Sequence, residues 1–264
     1  MPDGTWQAFI PDVKAERWDF EQLFVNGRRA VRARSPNVGA YFFMRNIQER
    51  VIDQGPSKRF ARKAVQTVTL RPEQLDTLKK LDSTRLNDVI MVVYHKWDVT
   101  RRRLSAIDRD RHQLVSHGKG MKPWNPWYPN QRFHLENFRA ALDAPGEWFL
   151  DCENGILHYK PRPGETIDKV QVIAPAVECF VVFQGDPNSS ERVQHITLKG
   201  LCFKYGNYHL PSEGFEPAQA ANTIGAVITA NHADNITLRD CEVAHIGTYA
   251  IWFRKACRDC MIER

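Results

Sequence analysis

The chain has 264 residues, 42% of them hydrophobic and 26% charged, with a formal net charge of +6 at pH 7. That size suits one large domain or two ordinary ones, and the composition is that of a folded protein. No apolar run approaches the roughly 18 residues of a membrane-spanning helix, and residues 1–11 lack a basic stretch followed by an apolar core, so neither a membrane span nor a signal peptide is expected there.

Residues 6–34 read as strands. Gln22 to Val25 meets Asn26-Gly27, and an alternating run continues from Arg28 to Arg34. Asn-Gly between alternating segments predicts a hairpin, because both turn residues must accept a positive φ. Side chains alternate along a strand, so Arg28, Arg32 and Arg34 are expected on one face and Val31 and Ala33 on the other. Ser35-Pro36-Asn37 ends that strand. Residues 40–70 give two or three short strands, broken by the loop Gln54-Gly55-Pro56-Ser57.

A short helix is predicted near residues 72–81. Pro72 suits its first turn, and Leu75, Leu78 and Leu81 recur with helical spacing. Residues 89–99 predict one strong strand, and residues 104–115 a hairpin. Residues 118–132 form a loop dense in aromatic side chains. Residues 146–151 and 156–161 pair across the turn Glu153-Asn154-Gly155, and Pro163-Gly164-Glu165 marks a junction. Basic clusters punctuate this part: Arg28-Arg29, Lys58-Arg59, Arg62-Lys63 and Arg101-Arg102-Arg103. They read as solvated edges, or as attraction to an acidic polymer such as a uronic-acid polysaccharide. No nucleic-acid-binding signature accompanies them, so nucleic acid is set aside.

Beyond the junction the pattern changes. Asn235-Ile236-Thr237-Leu238 returns 24 residues later as Asp259-Cys260-Met261-Ile262, and Ala226-Val227-Ile228 returns as Ala250-Ile251-Trp252. An earlier copy, His195-Ile196-Thr197-Leu198, lies 40 residues before the Asn235 copy, and residues 177–185 give a degenerate one. The excess falls in a polar loop between Tyr205 and Thr223. Short strands and polar corners at such a period predict a coiled solenoid, in which each turn buries its apolar row against its neighbours. The other reading is a set of antiparallel strands that share Ile-Thr-Leu. Insertions into one turn map to loops on one face, often a binding face. Arg264 falls inside a strand cassette with no cap, so a truncated chain is expected. Cys257 and Cys260 stand as one pair where a structural zinc site needs four ligands, and Cys260 replaces Ile236 on the buried row. Both are read as core residues, with no metal and no cofactor expected.

The segment Phe20 to Arg29 followed by Arg32-Ala33-Arg34-Ser35-Pro36-Asn37 resembles one found in bacterial right-handed parallel β-helix proteins. So do Gly146-Glu147-Trp148-Phe149-Leu150-Asp151 with Gly155-Ile156-Leu157-His158-Tyr159, and Pro161 with Pro163-Gly164-Glu165. From about residue 18 onward the chain is similar to carbohydrate-active β-helix enzymes, in particular glycoside hydrolase family 141. The resemblance implies a mainly all-β fold. Residues 1–165 would form a β-rich inserted module with a short helix near 72–81, and residues 166–264 the first turns of a right-handed parallel β-helix. It also implies export, extracellular or periplasmic, a polysaccharide or oligosaccharide partner, and a role in a polysaccharide-degrading glycoside hydrolase.

Glycoside hydrolysis commonly uses two carboxyl groups, one to protonate the leaving oxygen and one as nucleophile or base. The outward-facing candidates on the predicted coil are Glu242, Asp240 and His245; one turn further on, no second carboxylate completes a pair. Their plain alternatives are a solvated acid, a corner residue bonding its own backbone, and a surface histidine. Sugar rings pack apolar faces on aromatic rings while polar groups take their hydroxyls. Tyr94, His95, Trp97, Trp124, Trp127 and Tyr128 offer that mixture, although Trp97 and Trp127 would equally serve as packing anchors. Two other functions fit the residues: a lyase using Lys, Arg or His against a uronate, and a non-catalytic carbohydrate-binding protein.

Overall fold

A computed structural model describes residues 4–56 and 59–264. Ser57 and Lys58, named above in a loop and in a basic cluster, lie outside the described residues, as do residues 1–3. The chain divides into two compact units that are discontinuous in sequence. The first comprises Met1–Arg17, Val31–Lys169 and Leu210–Asn222; the second comprises Trp18–Ala30, Val170–His209 and Thr223–Arg264. The fold is mainly β with short helices.

The first unit is built on an antiparallel sheet. Its strands run in the spatial order Arg34–Ser35, Arg132–Glu136, Ile90–Tyr94, Val99–Asp108, Gln113–Gly118, Lys63–Thr69 and Asn46–Asp53, with Phe42–Phe43 also paired to Arg132–Glu136. A smaller sheet orders Trp6–Phe9, Ile156–Tyr159, Glu147–Asp151 and Val31–Arg32. The expected helix is present, as a 3-10 turn Pro72–Gln74 running into an α-helix Leu75–Lys80; a short α-helical turn covers Pro11–Lys14, and 3-10 turns cover Ser83–Asp88, Arg139–Ala141 and Gln219–Ala221. Its spacing has the predicted consequence: Leu78 and Leu81 are buried in the same apolar cluster as Val68, Met91, Leu104 and Phe133. Burying each such side chain contributes about 1.5–3 kcal/mol.

Two strands differ from expectation. Residues 89–99 are not one strand: Ile90–Tyr94 and Val99–Asp108 pair antiparallel, Tyr94 opposite Val99, and the His95 N–H donates to the Asp98 carbonyl (2.9 Å) to close the reversal. The run from Arg28 to Arg34 breaks into Arg28–Arg29, Val31–Arg32 and Arg34–Ser35, which join three different sheets. Its three arginines therefore do not share one strand face, and Arg34 is buried, donating to the carbonyls of Pro36 and Ala40.

The second unit opens with the expected hairpin. Phe24–Val25 pairs with Arg28–Arg29 through Asn26 (φ 51°) and Gly27 (φ 71°), and Val172–Ile173 pairs on its other side. The remaining strands of this unit pair in parallel. Val181–Gln184, Ala226–Asn231 and Tyr249–Phe253 form one sheet; Val193–Lys199, Ala233–Arg239 and Met261–Glu263 form another; Cys202–Lys204 pairs with Glu242–Ala244. Ile196 lies beside Ile236 and Leu198 beside Leu238, and Leu238 in turn beside Ile262. These are the 40- and 24-residue offsets read from the sequence.

The corners repeat as well. His195, Asn235 and Asp259 have φ values of 59°, 52° and 49°; Gly200 and Asp240 have 68° and 53°; Tyr205 and His245 have 66° and 56°. The left-handed region disfavours a bulky Cβ, and Gly, Asn, Asp and His are the residues that most often accept it. One pair of strands slips: Ile228, not Val227, lies beside Ile251. The later stretch carries one more residue at the following corner, where Arg254 and Lys255 stand against Asn231 alone before His232 and Ala256 restore the 24-residue offset. Val227, Ile228, Ile236 and Leu238 are fully buried in one cluster, and Cys257 and Cys260 pack against it. Among the described residues no helix is long and apolar enough to cross a membrane.

Candidate functional site

The aromatic candidates sit on two loops of the first unit that are tied together by one side chain. Asp98 accepts from Lys122 Nζ through Oδ2 (2.6 Å) and from Asn125 Nδ2 through Oδ1 (2.9 Å). Lys122 also lies 3.3 Å from Glu216, whose other oxygen accepts from the Thr100 hydroxyl (2.8 Å) and lies 3.1 Å from Arg102. All these charges are buried, so each needs the others to offset its lost hydration. The network fixes the chain reversal at residues 95–98 and the turn at 122–125 as one rigid platform.

That platform presents Trp97, Trp124 and Tyr128 to solvent at 56%, 47% and 43% of their full exposure. Lys96 Nζ sits 5.7 Å above the Tyr128 ring, and the Phe60 ring meets Trp124 edge-on at 6.3 Å. His95 and Trp127 do the opposite of what a sugar contact requires, for both are buried. Strand alternation stops at Tyr94, and the reversal turns His95 inward, where its Nε2–H donates to Thr100 (2.7 Å). Thr100 commits its own proton to Glu216, which fixes that tautomer. Burial outweighs the nearby Glu216 and Asp98 and pushes the His95 pKa down, so the ring is neutral near pH 7. Trp127 belongs to the core and packs edge-on to His95.

Tyr94 leads to a second group that spacing does not disclose. Its ring meets Tyr41 edge-on at 5.2 Å, and Arg132 lies over both rings at 5.2 and 5.3 Å. Behind Tyr94 lies His134, whose Nε2 bonds Glu136 (3.2 Å); Glu136 also accepts from Arg101 (2.8 Å). Burial pushes the Glu136 carboxyl up, but Arg101, His134 and Arg32 outweigh it and hold it at about 2. Tyr41, Arg101 and Arg132 come from separate strands and loops, so only alternation along residues 132–136 hinted at this cluster.

In the second unit the three candidate catalytic residues lie together on Glu242–Ala244 and its flanks. Glu242 is exposed, pairs with Lys204 Nζ at 2.6 Å and accepts from Cys202 Sγ at 3.6 Å. The Lys204 ammonium holds its carboxyl below the ordinary range. Asp240 occupies a left-handed corner, and His245 stacks on Tyr205 with centroids 5.2 Å apart and planes 6° from parallel. Phe24 closes that stack edge-on.

The same unit contains a histidine clamp that the sequence reading missed. His209 Nδ1 donates to Glu178 and Nε2 to Asp19, both at 2.7 Å, and the His209 backbone N–H reaches Glu178 too (3.0 Å). Asp19, working against partial burial and helped by Glu178, raises its pKa to about 9. Three residues so far apart in the chain leave no local pattern. The described residues contain no group of three or more His, Cys, Asp or Glu placed to hold a metal ion.

The fold of the chain has a counterpart among solved proteins. A structure named "Glycoside hydrolase" matches with a TM-score of 0.74 and 21% identity over 97% of this chain, which shows a shared fold. The chain spans about half the length of that protein, covering 49% of it. Residues 4–162 match the family model of the GH141 insertion domain, more than half of the chain, and the chain belongs to that family. A search of curated proteins finds no match.

Proposed function

We propose that the chain serves in a polysaccharide-degrading glycoside hydrolase of β-helix type. In this reading the first unit is a glycan-presenting module and the second forms turns of a right-handed parallel β-helix. The observation that carries the glycan role is the platform of Trp97, Trp124 and Tyr128, held rigid by the buried Asp98–Lys122 pair. Exposed aromatic rings on a preorganised base lose little entropy when a sugar face stacks on them. The β-helix role is supported by parallel pairing in three sheets and by left-handed corners that recur at the same offsets as the strands. An exported protein, extracellular or periplasmic, acting on plant or algal polysaccharide is the setting that fits such a module.

Within this reading Glu242 is the carboxylate offered to substrate. Lys204 keeps it ionised, which suits a nucleophile or base rather than a proton donor. Asp240 and His245 flank it. The test is binding of plant and algal oligosaccharides to the 264-residue chain, with Trp97→Ala, Trp124→Ala and Tyr128→Ala as variants. The expected result is a tenfold or greater loss of affinity in at least one variant with an unchanged melting temperature. Equal affinity in all three would overturn the platform. In the protein that carries this chain, release of reducing ends without ultraviolet-absorbing unsaturated products is expected; unsaturated products would make it a lyase instead.

A further inference from the structure

The second aromatic group of the first unit is built around Arg132. Strand alternation along Arg132–Glu136 sends Phe133 and Leu135 into the core and leaves Arg132 on the opposite face, exposed. Its guanidinium lies over the Tyr41 ring at 5.2 Å and over the Tyr94 ring at 5.3 Å. Both tyrosines are half-buried and held from behind. Tyr94 packs on His134, and its carbonyl accepts from the Gln131 side chain. Tyr41 follows the loop 36–40, which the buried Arg34 fastens through the carbonyls of Pro36 (2.8 Å) and Ala40 (3.1 Å). Stacking on two fixed rings orients a guanidinium without using its N–H groups.

The charges supply an independent observation. Among the described residues the Arg132 side chain makes no hydrogen bond and no ion pair, so its donors face water. The carboxylate of the group, Glu136, is already answered by Arg101 (2.8 Å) and His134 (3.2 Å). Lys96 repeats the arrangement: its ammonium lies 5.7 Å over the Tyr128 ring, with no carboxylate partner among the described residues. Gln131 joins the two pairs, its backbone N–H donating to the Tyr128 carbonyl (3.0 Å) and its side chain to the Tyr94 carbonyl. Arg34 adds a third cation, over Tyr41 at 5.7 Å. The surface is positive and aromatic, and the open N–H groups of Arg132 lack an acceptor.

We infer that this surface takes a uronate unit of an acidic glycan, its carboxylate on the Arg132 fork and its C–H face against the exposed part of Phe43. Phe43 lies opposite Arg132 across the strand pair and is 40% exposed. Arg71 shares that ring at 5.5 Å but is engaged by Asn130 and Glu73 (3.9 Å), which leaves the carboxylate to Arg132. A guanidinium presents two parallel N–H groups to the two oxygens of a planar carboxylate, and charge-assisted bonds of this kind are about twice as strong as neutral ones. Lys96 adds attraction to the same charge at longer range. A neutral sugar forgoes both interactions, so the discrimination is electrostatic. The inference names a substrate class for the glycan-presenting reading of the first unit and rests on that reading, but its residues are Arg132, Tyr41 and Tyr94, not Trp97 and Trp124.

The test is calorimetric titration of the 264-residue chain with tetragalacturonate, its methyl-esterified form, a sulfated galactan tetrasaccharide and xylotetraose. Wild type is expected to bind tetragalacturonate at least tenfold more tightly than the ester, with affinity falling as salt rises. Arg132→Gln should lose tenfold or more, and Arg132→Lys, which keeps the charge but not the fork, should recover only part of that loss. Both variants should melt with wild type, because Arg132 is exposed. Equal binding of the acid and its ester, tighter binding of the sulfated glycan, or unchanged tetragalacturonate affinity in Arg132→Gln would each overturn the inference. If Trp97→Ala and Trp124→Ala lose xylotetraose while Arg132→Gln keeps tetragalacturonate, the platform stands and the uronate site falls. If they keep xylotetraose while Arg132→Gln loses tetragalacturonate, the uronate site stands without the platform. Binding of no glycan by wild type overturns both.

Discussion

Arg102 and Glu216 meet 3.1 Å apart with side chains only 1% and 3% exposed. Glu216 belongs to the segment Leu210–Asn222, which forms part of the first unit although forty residues separate it from the rest of that unit. A backbone bridge between Phe215 and Arg101 seats the segment, and Glu216 then answers Arg102, Lys122 and Thr100 together. The loop expected as an insertion on one face is therefore tied down through Glu216, while Pro211, Ser212, Glu213 and Gln219 stay exposed. Removing one partner of a buried pair leaves the other charge uncompensated. Glu216→Ala is expected to cost about 3–5 kcal/mol in urea unfolding. Arg102→Met with Glu216→Leu should recover most of it, because Lys122 keeps Asp98.

Gly118 is the point where this tie tolerates no side chain. An added Cβ would lie 2.6 Å from Arg102 Nε and 2.9 Å from the Glu213 carbonyl. Arg102 is locked by its bonds and cannot withdraw. Gly118→Ala should cost about 1–3 kcal/mol by overpacking. Gly225→Ala, where nothing lies within 4 Å and φ is ordinary, should be close to neutral in the same thermal melt.

Acid should weaken the first unit through Glu136. Its carboxyl titrates at about 2 in the fold against an ordinary 4.5, so the folded state binds the proton less readily than the unfolded one. The resulting stability is fully present above pH 4.5 and is lost as pH falls through about 2; it is on the order of 3 kcal/mol. Acid titrations of wild type and Glu136→Gln, followed by circular dichroism, should show the slope between pH 5 and 2 reduced in the variant.

His209 predicts the reverse dependence in the second unit. Its folded pKa of about 9 exceeds the ordinary 6.5, so its contribution is complete below pH 6.5 and is lost as pH rises through about 9. The side chain is 36% exposed, and solvent screening reduces the effect to about 1 kcal/mol. Histidine ring resonances followed by NMR should place His209 near 9, and Glu178→Gln should move it toward 6.5.

The buried row of parallel strands should carry the second unit. Ile236 is fully buried beside Ile196, and Ile236→Ala is expected to cost about 2–5 kcal/mol. Arg239 on the same strand is exposed and pairs with Glu263 at the surface, so Arg239→Ala should change stability by no more than about 1 kcal/mol. Urea denaturation of the two variants checks the contrast.

What the sequence made legible was whatever repeats or turns locally. The Asn26-Gly27 hairpin, the leucine-spaced helix, and the offsets of 40 and 24 residues all depend on neighbours along the chain or on a period. The one-residue slip at Ile228–Ile251 escaped because the extra residue sits in a corner, where no apolar pattern marks it. The reversal at residues 95–98 escaped because its determinants, Lys122 and Asn125, lie some twenty-five residues downstream. Of the aromatic candidates, composition could not separate Trp97, which is exposed, from Trp127, which is core. The Asp19–His209–Glu178 clamp, Glu216 and the stack of Arg132 on Tyr41 are long-range arrangements that no window of sequence contains.

The division of labour between Trp97 and its neighbour Asp98 bears on how this loop can change. Asp98 anchors the reversal from within, while Trp97 stands at the tip with more than half its surface in water. Replacing the tryptophan alters what the loop meets and leaves its scaffolding untouched. Such a position can change by single codons, with no penalty in foldability to be repaired elsewhere.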